Sequence, residues 1–290
     1  MDVWNEETGL SRSRTIPWQS KTILLLILPV LAAHLVLDLG HELAQKPVTA
    51  WTGIWIAVIF GGVVFWLRAA TGGGAATGAL VAITLYLWTP GWRTALWPLA
   101  ALLAMTLFAT RFGRQLKEGL GLAEGRHGRN AAQVAANIGL AAICGVPLTL
   151  AAILSNEPVP RVWLVGMVAA LGEATADTLS SEMGQVLGGE PRLLTTMRRV
   201  PRGTDGGVTI IGTLCGIGGA AVVAVVGMPS LGFSTVEAGV AVGSAVLGLF
   251  VDSLLGEWVE RRGWLGNDAV NTLSTLAAAM VAVAAMRWLR

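Results

Sequence analysis

The sequence predicts an all-α, polytopic integral membrane protein, a bundle of about nine transmembrane helices with a cytoplasmic N-terminus. Composition is the first observation, because 54% of the residues are hydrophobic and only 13% are charged, whereas soluble domains carry roughly 25% charged residues. The second is a series of apolar runs of the length that crosses a bilayer. The third is that acidic side chains recur inside these runs. A charged side chain in the bilayer costs free energy, so such residues commonly belong to functional sites.

The predicted spans follow one another along the chain with short polar connections. They are residues 22–44, 48–67, 72–88, 92–109, 131–154, 162–188, 207–228, 236–257 and 269–286. The first span follows a long polar leader and lacks a small-residue cleavage site, so we interpret it as a retained helix rather than a signal peptide. The third is short and rich in glycine, which makes it the weakest of the set.

Lysine and arginine predict the orientation, since cytoplasmic loops carry an excess of both. With a cytoplasmic N-terminus, most of the 20 basic residues fall on the cytoplasmic side, chiefly in loops 110–130, 189–206 and 258–267. The expected location is therefore the cell (inner) membrane, with multiple passes. A net charge of +2 and scattered basic residues exclude a nucleic-acid-binding patch. Cys144 and Cys215 lie in apolar segments without metal-ligand spacing, and are predicted to be small core residues.

In this orientation, polar residues of the second half of the chain gather at cytoplasmic helix ends. They are Asn130, Gln133 and Asn137 at the fifth helix, Asp177 and Glu182 at the sixth, Asp205 before the seventh, Asp252 at the eighth, and Asn267, Asp268 and Asn271 at the ninth. Acids and amides from five helices at one depth predict a single site that is open to the cytoplasm.

The sixth predicted helix contains the densest acidic segment, "AALGEATADTLSSEMGQVLGG". Glu173 and Asp177 are spaced i, i+4 and share a helix face, whereas Glu182 is turned well away from Asp177. Two interpretations stay open for these residues, a functional site and a structural polar stripe between packed helices. Glu182 would also reach the membrane interface.

Four carboxylates are the candidate metal ligands, because Mg²⁺ prefers carboxylate and carbonyl oxygens. They are Asp177, Glu182, Asp252 and Asp268. Gly248 and Gly256 lie one helical turn to either side of Asp252 and would let another backbone approach closely. Asn267 or Asp268 would alternatively cap its helix, but Asn271 lies too far into the helix for that role.

The segment "RRVPRGTDGGVTIIGT" combines arginines with a glycine-rich turn before a helix start. Backbone N–H groups and the positive end of a helix favour phosphate at such a place. The predicted phosphate-binding residues are Arg199, Arg202, Gly203, Thr204, Asp205, Gly206 and Gly207, together with Lys117, Arg129 and Asn130 from the loop before the fifth span. Two alternatives stay open: Asp205 caps the helix, and the basic residues only follow the inside-positive rule.

Two other patterns are interpreted as structural. The run "TGGGAATGALVA" lacks the Gly-Lys-Ser/Thr ending of a phosphate-binding loop, so its small residues predict close helix packing. His34, Asp38, His41 and Glu42 share one face of the first helix, as metal ligands would, but the other outer loops offer no partner cluster. A structural or interfacial role is therefore predicted for them.

Several segments, in this order, resemble a known membrane family, the domain of unknown function ninety-two, which includes the plant phytyl-phosphate kinase. They are "GRNAAQVAAN", "ATADTLSSEMG", "RRVPRGTDGGVTIIGT", "DSLLG" and "NDAVNTLSTLA". The resemblance covers roughly residues 72–285. It divides the chain into residues 1–70, a leader with two less characteristic helices, and residues 71–290, a family-like catalytic membrane domain.

The resemblance implies a kinase that transfers a phosphoryl group from a nucleotide, CTP, to a phytyl- or polyprenyl-type isoprenoid monophosphate. The expected cofactor is Mg²⁺, and the expected partners are the lipid phosphate, the nucleotide and the bilayer. The residues predicted to act in catalysis are Asp177, Asp252, Asp268, Asn137 and Asn271. The alternatives are a secondary transporter that couples ions through intramembrane carboxylates and a non-catalytic lipid-binding or assembly protein.

Overall fold

The computed structural model describes residues 15–123, 128–147 and 161–289, and this part of the chain is almost entirely helical. The helices are α1 (Pro17–Gln45), α2 (Pro47–Trp66), α3 (Gly72–Trp88), α4 (Leu96–Arg111), α5 (Arg114–Gly119), α6 (Ala131–Ile143), α7 (Arg161–Leu187), α8 (Ile210–Leu231), α9 (Thr235–Leu255) and α10 (Asn267–Trp288). Most of the predicted leader, and residues 148–154 of the fifth predicted span, lie outside the described residues.

The all-α class is confirmed. In the described part of the chain, 6 helices are long and apolar enough to cross a membrane, namely α1, α2, α7, α8, α10, and α9 together with the turn that follows it. Helices α3, α4 and α6 are apolar but shorter, so the count of nine spans stays a prediction.

Helix α7 forms the centre of the bundle and packs against α4, α8, α9 and α10. Small residues permit this contact: a side chain on Gly172 would lie 3.2 Å from the Cβ of Ala245, and one on Gly216 would lie 2.7 Å from the carbonyl of Ala176. As a result, 78% of the most apolar stretch of α7 lies inside the protein, compared with 17% for α2. The acids of α7 therefore face protein rather than lipid.

Helices α1, α6, α8 and α10 begin at the same end of the bundle, where α4, α7 and α9 finish; we call it the site end. The Oγ of Ser20 donates to Oδ2 of Asp268 at 2.6 Å, and the Gln19 side chain bonds the carbonyl of Trp264 and the N–H of Gly266. These contacts hold the first turns of α1 and α10 together. The arrangement agrees with the chain directions that the predicted topology requires.

The glycine-rich start of α3 packs closely, as predicted for "TGGGAATGALVA". A side chain on Gly74 would lie 2.3 Å from the carbonyl of Arg129, and Thr71 caps the helix by accepting from the N–H of Gly74. The backbone of Arg129 also accepts from the N–H of Thr71 and donates to the carbonyl of Ala69, each at 3.0 Å. This junction fixes Arg129 at the site end.

A small β-hairpin was not predicted. Strands β1 (Arg192–Leu193) and β2 (Gly207–Val208) pair antiparallel between α7 and α8. The glycine-rich turn leads to a helix start, as predicted, but β2 lies between the turn and the first residue of α8. Thr209, rather than Asp205, caps α8 by accepting from the N–H of Gly212 at 3.0 Å.

Near the opposite end, the Trp88 indole N–H donates to Nε2 of His34 and Oδ2 of Asp38, both at 3.0 Å. Both acceptor residues are buried. The cluster ties α1 to α3 through a buried polar contact, which confirms the structural role predicted for these two residues.

Candidate functional site

A polar cavity of about 280 Å³ lies at the site end, between α6, α7, α9, α10 and the loop that joins α7 to α8. Of the predicted site residues, those that line it are Arg129, Asn137, Asp177, Glu182, Arg202, Gly203, Thr204, Asp205, Gly206, Gly207, Asp252 and Asn271. The polar segments that the sequence singled out on separate helices therefore meet around one space.

The two central acids come from different helices, Asp177 from α7 and Asp252 from α9, and both are half-buried in the cavity wall. The Oγ of Ser274 lies 3.3 Å from Oδ2 of Asp252 and donates to it. Beneath them lies Glu173, which is 1% exposed and does not line the cavity. A side chain on Gly248 would lie only 2.6 Å from Cγ of Glu173, so this glycine makes room for the deeper acid.

Two amides face each other across α6 and α10. The Nδ2 of Asn271 donates to Oδ1 of Asn137 at 3.4 Å, and the Nδ2 of Asn137 donates to the carbonyl of Gln133 at 2.8 Å. Asn137 lies in a π turn, Ala135–Gly139, which interrupts α6. Such wide turns recur at functional sites, and here the turn brings an amide to the cavity.

Glu260 is a cavity residue that the sequence reasoning missed. It is 5% exposed, and its Oε1 finds no hydrogen-bond partner among the described residues. A regular α-helix turns by about 100° per residue, so the side chains of Asp252 and Glu260 would point in directions roughly 80° apart around its axis. The π turn Gly256–Glu260 at the end of α9 widens the last turn, and both acids line the cavity. The local sequence contains no signal for this turn.

The glycine-rich turn packs directly on the end of α9. A side chain on Gly206 would lie 2.3 Å from the N–H nitrogen of Glu257, and one on Gly256 would lie 2.6 Å from the nitrogen of Gly206. This confirms the close backbone approach predicted for a glycine beside Asp252. The Glu257 carboxylate accepts from the N–H of Thr195 at 3.1 Å and from its hydroxyl, which anchors the loop a second time.

Arg202 holds the same loop to the end of α7. Its Nε donates to the carbonyl of Gly189 at 3.0 Å, and its Nη1 donates to the carbonyl of Gln185 at 3.2 Å. Arg129 enters the cavity from the opposite side, where its Nη2 donates to Oγ1 of Thr178 at 3.1 Å. The cavity wall therefore contains two guanidinium groups as well as the carboxylates.

A comparison of two glycines tests this packing. Gly206 and Gly189 both have a left-handed φ, +73° and +72°, but a side chain on Gly189 would meet nothing within 4 Å. We expect Gly189→Ala to destabilise the protein only by the left-handed backbone term, about 1–2 kcal/mol. Gly206→Ala should cost a further ~1–3 kcal/mol from overlap. Thermal unfolding in detergent measures both, and equal losses would contradict the packing described here.

Lys117 requires a correction to the predicted phosphate-binding set. Its side chain is 1% exposed, and its ammonium donates to the carbonyl of Ala109 at 3.0 Å, to that of Thr110 at 2.8 Å, and to Oε2 of Glu182. All three ammonium protons therefore have acceptors inside the protein. Glu182 touches the cavity, but its carboxylate neutralises this lysine, so the pair links α5 to α7.

Asn130 and Arg199 also lie outside the cavity wall. Asn130 begins α6 in a capping box, in which its side chain accepts from the N–H of Gln133 and the Gln133 side chain accepts from the N–H of Asn130. Arg199 is exposed and pairs with Glu190 at 3.1 Å. Neither residue therefore contributes a phosphate-binding group to the wall of the described cavity.

Asp268 is 2% exposed and does not line the cavity. It accepts from Ser20, as described above, while its Oδ1 finds no hydrogen-bond partner among the described residues. The alternative that Asn267 or Asp268 caps α10 is wrong, because the cap is Gly266 and no side chain serves it. Asn267 itself lines the cavity.

The four predicted metal ligands do not assemble into one cluster. Within the described residues, no group of three or more His, Cys, Asp or Glu side chains is arranged to hold a metal ion. Asp177 and Asp252 nevertheless place two carboxylate groups at the cavity. This donor set fits Mg²⁺ carried by a nucleotide, since protein sites for that ion commonly use one or two carboxylates, with phosphates and water completing the shell.

Comparison with known proteins identifies the family. Residues 55–279 match the family described as "Integral membrane protein DUF92". The chain belongs to this family. The match confirms the resemblance inferred from the sequence motifs and, with the apolar helices, shows a multi-pass membrane protein. It begins within α2, earlier in the chain than the sequence motifs indicated.

Three relatives are similar over part of the chain. An uncharacterized membrane protein of Methanocaldococcus jannaschii is 40% identical over 121 residues, which cover 41% of this chain and 50% of that protein. An uncharacterized membrane protein of Synechocystis sp. is 34% identical over 202 residues, or 67% of this chain and 74% of the relative. Protein VTE6, chloroplastic, of Arabidopsis thaliana is 29% identical over 187 residues, or 63% and 56%.

The matched region thus spans about half the length of the first and third of these relatives. No solved structure matches the chain with significant similarity.

Proposed function

We propose that this protein is a membrane kinase that transfers the terminal phosphoryl group of CTP to an isoprenoid monophosphate at the cytoplasmic face, with Mg²⁺. The observation that carries the proposal is the polar cavity, whose wall combines acids from α7 and α9 with Arg129, Arg202 and a glycine turn. Phosphoryl transfer needs positioning and neutralisation of phosphate charge more than covalent chemistry. Arginines, hard-cation ligands and backbone N–H groups supply both.

The family supports the chemical class. The DUF92 resemblance implies a kinase acting on a prenyl phosphate, and the similarity to VTE6 extends over 63% of this chain. CTP as the donor is part of what this resemblance implies. The phosphate-binding roles proposed for the cavity residues apply to CTP and ATP alike.

In the proposed reaction, an oxygen of the acceptor monophosphate attacks the γ-phosphorus of the nucleotide. The bond from that phosphorus to the β–γ bridging oxygen breaks, and the nucleoside diphosphate leaves with the bonding electrons. A lipid monophosphate has its second pKa near ~6, so its attacking oxygen is already anionic at neutral pH. The step therefore needs no general base.

Each part of the cavity wall has a proposed task. Arg202 and the turn of residues 203–207 hold the nucleotide phosphates, and Arg129 holds the acceptor phosphate. Asp177 and Asp252 would hold Mg²⁺, which when bound neutralises charge on the β- and γ-phosphates. The amides of Asn137 and Asn271 orient phosphate oxygens or water.

We assign the remaining predicted residues supporting roles within this proposal. Asp268 fixes the starts of α1 and α10 next to the cavity, and Glu182 is held by Lys117. Glu260 joins Asp177 and Asp252 as a third acid of the wall.

A secondary transporter remains the competing function. It would place ion-coupling acids near the middle of the membrane with access from both sides. Asp252 and Glu260 lie near the end of α9 and Asp177 lies in the half of α7 nearer the site end, while the buried His34–Asp38–Trp88 cluster near the other end is internally hydrogen-bonded. These placements favour the kinase.

The acceptor tests the proposed function. We expect transfer to geranylgeranyl monophosphate but not to geranylgeraniol, because the proposed step contains no general base, which an alcohol of high pKa requires. The rate should fall as the pH drops below about 6, since the acceptor phosphate then takes up its second proton. Bound Mg²⁺ or arginine lowers this midpoint, while the direction of the effect is unchanged.

Separate reactions of purified protein with Mg²⁺ and either radiolabelled CTP or radiolabelled ATP show which acceptor receives the phosphoryl group and which nucleotide donates it. Efficient transfer to the free alcohol would contradict the base-free mechanism and assign a carboxylate of the cavity as the base. Transfer to neither acceptor, together with ion-dependent uptake into vesicles, would replace the kinase with the transporter.

A further inference from the structure

A second, larger cavity of about 450 Å³ lies among α2, α3, α4 and α6. Its wall is chiefly aliphatic and aromatic, with side chains that include Phe60, Val64, Leu99, Leu102 and Leu103. Its size falls within the range of small-molecule sites, roughly 300–1,000 Å³. It extends along α4 from Leu99 to Arg111, a length of roughly 18 Å at the α-helical rise per residue.

One end of this apolar cavity is strongly basic. Arg68, Arg111, Arg114 and Arg129 line it there, together with Glu118, whose carboxylate pairs with Arg114 at 3.0 Å. Arg111 is oriented by a hydrogen bond from its Nη2 to the carbonyl of Leu67 at 2.8 Å. An apolar space that ends in guanidinium groups complements a molecule with an apolar chain and an anionic head.

The backbone at this basic end closes helix α2. Arg68 has a φ of +53°, the left-handed conformation in which helices commonly end, and the Ala69 N–H donates to the carbonyl of Val64 at 3.0 Å across this turn. A side chain on Gly128 would lie 2.6 Å from the carbonyl of Arg68, so the residues before α6 pack closely against this end of α2.

Arg129 and Asn137 line this cavity and the polar one alike. The two spaces therefore adjoin at these residues, one with acids and the glycine turn, the other with apolar walls. A phosphate held at this boundary would belong to a molecule whose chain lies on the apolar side and whose free oxygens face the polar side.

We propose that the cavity among α2, α3, α4 and α6 binds the isoprenoid chain of the acceptor, with its phosphate at Arg129. This inference rests on the proposed function for the identity of the head group. Bilayer lipid is as apolar as the cavity wall, so moving the isoprenoid chain from the bilayer into the cavity contributes little binding free energy by itself. Recognition therefore depends on the phosphate contact and on the shape of the cavity.

A photoreactive geranylgeranyl monophosphate, with a diazirine at the far end of its chain, tests the site in detergent without any nucleotide. We expect the cross-link to map by mass spectrometry to the α4 segment around Leu99 and Leu102 in the wild-type protein. Unlabelled monophosphate should compete, and geranylgeraniol should compete far less. Cross-links confined to α8, α9 or α10, or equal competition by the alcohol, would overturn the proposal.

A matched pair of substitutions on α4 supplies a second readout. Leu103 lines the cavity, whereas its neighbour Ala104 is exposed on the lipid side. We expect Leu103→Trp to fill the cavity and lower the cross-linking yield by roughly tenfold or more, as overpacking does. Ala104→Trp should leave the yield unchanged. Wild-type yield with Leu103→Trp would place the chain elsewhere.

The outcomes separate this inference from the kinase. Competition by bilayer phospholipid at equal strength would assign the cavity to a structural lipid and overturn the proposal. Specific cross-linking without phosphoryl transfer from any nucleotide would support the binding site for the isoprenoid chain and refute the kinase activity. Normal phosphoryl transfer by the Leu103→Trp variant would support the kinase activity and refute the binding site for the chain.

Discussion

We expect Asp177→Asn and Asp252→Asn each to lower the rate of phosphoryl transfer by on the order of 100-fold or more, the scale of losing one group that stabilises a charged transition state. Each change removes a carboxylate from the cavity wall and keeps the size of the side chain. The loss should appear in Mg²⁺-dependent nucleotide binding as well as in turnover. Filter binding of radiolabelled CTP with and without Mg²⁺ measures the first, and the acceptor assay measures the second.

Glu173→Gln is the matched control for these variants. Glu173 lies one turn from Asp177 on α7 and is also an acid, but it does not line the cavity. Its neutral variant should retain most activity. Apo stability should hold or rise in all three variants, because each loses a carboxylate that is buried, as in Glu173, or half-buried, as in Asp177 and Asp252. Wild-type nucleotide affinity in Asp177→Asn and Asp252→Asn would support the structural polar stripe instead.

Lys117→Met should have the largest effect on stability, a loss of about 3–5 kcal/mol in the free energy of unfolding. The substitution leaves the carboxylate of Glu182 buried without its cation, and the two side chains are 1% and 9% exposed. Adding Glu182→Met should restore most of the loss, because replacing both partners of a buried pair by apolar residues is often neutral or stabilising. Thermal unfolding in detergent compares the single and double variants.

Arg199→Met provides the control for this pair. Arg199 and Glu190 form an ion pair of similar type, but both are more than two-thirds exposed, so its removal should cost about 0–1 kcal/mol. Equal losses from Lys117→Met and Arg199→Met would refute a buried structural pair. A double variant that regains stability but fails to bind nucleotide would return Lys117 to the phosphate-binding set.

The fold class and much of the cavity wall could be predicted from residue type and spacing. Apolar runs set the helices, because a bilayer demands about 20 apolar residues for each crossing. Intramembrane acids and amides are costly, so Asn137, Asp177, Asp252 and Asn271 stood out as site residues. All four line the described cavity, while their catalytic roles remain predictions.

Residues with a local task were harder to classify. Asn130 and Arg199 carry suitable groups for phosphate, yet one caps α6 and the other pairs with Glu190. Asp268 faces Ser20 of α1, a helix distant in sequence. Residue type indicates what a side chain is able to bind, but not which partner packing will bring to it.

The sequence by itself determined a helical membrane protein of the DUF92 type with polar residues at the ends of its helices, since each of these signals is local along the chain. Tertiary structure decided which of those residues share a space. It paired Lys117 with Glu182, which lies 65 residues further along the chain. It also brought Glu260, at the end of a π turn, to the cavity that Asp252 lines. It also left a cavity among α2, α3, α4 and α6. Helical period predicts the face on which a side chain lies, whereas turn width, ion-pair partners and unfilled volume depend on how whole helices pack.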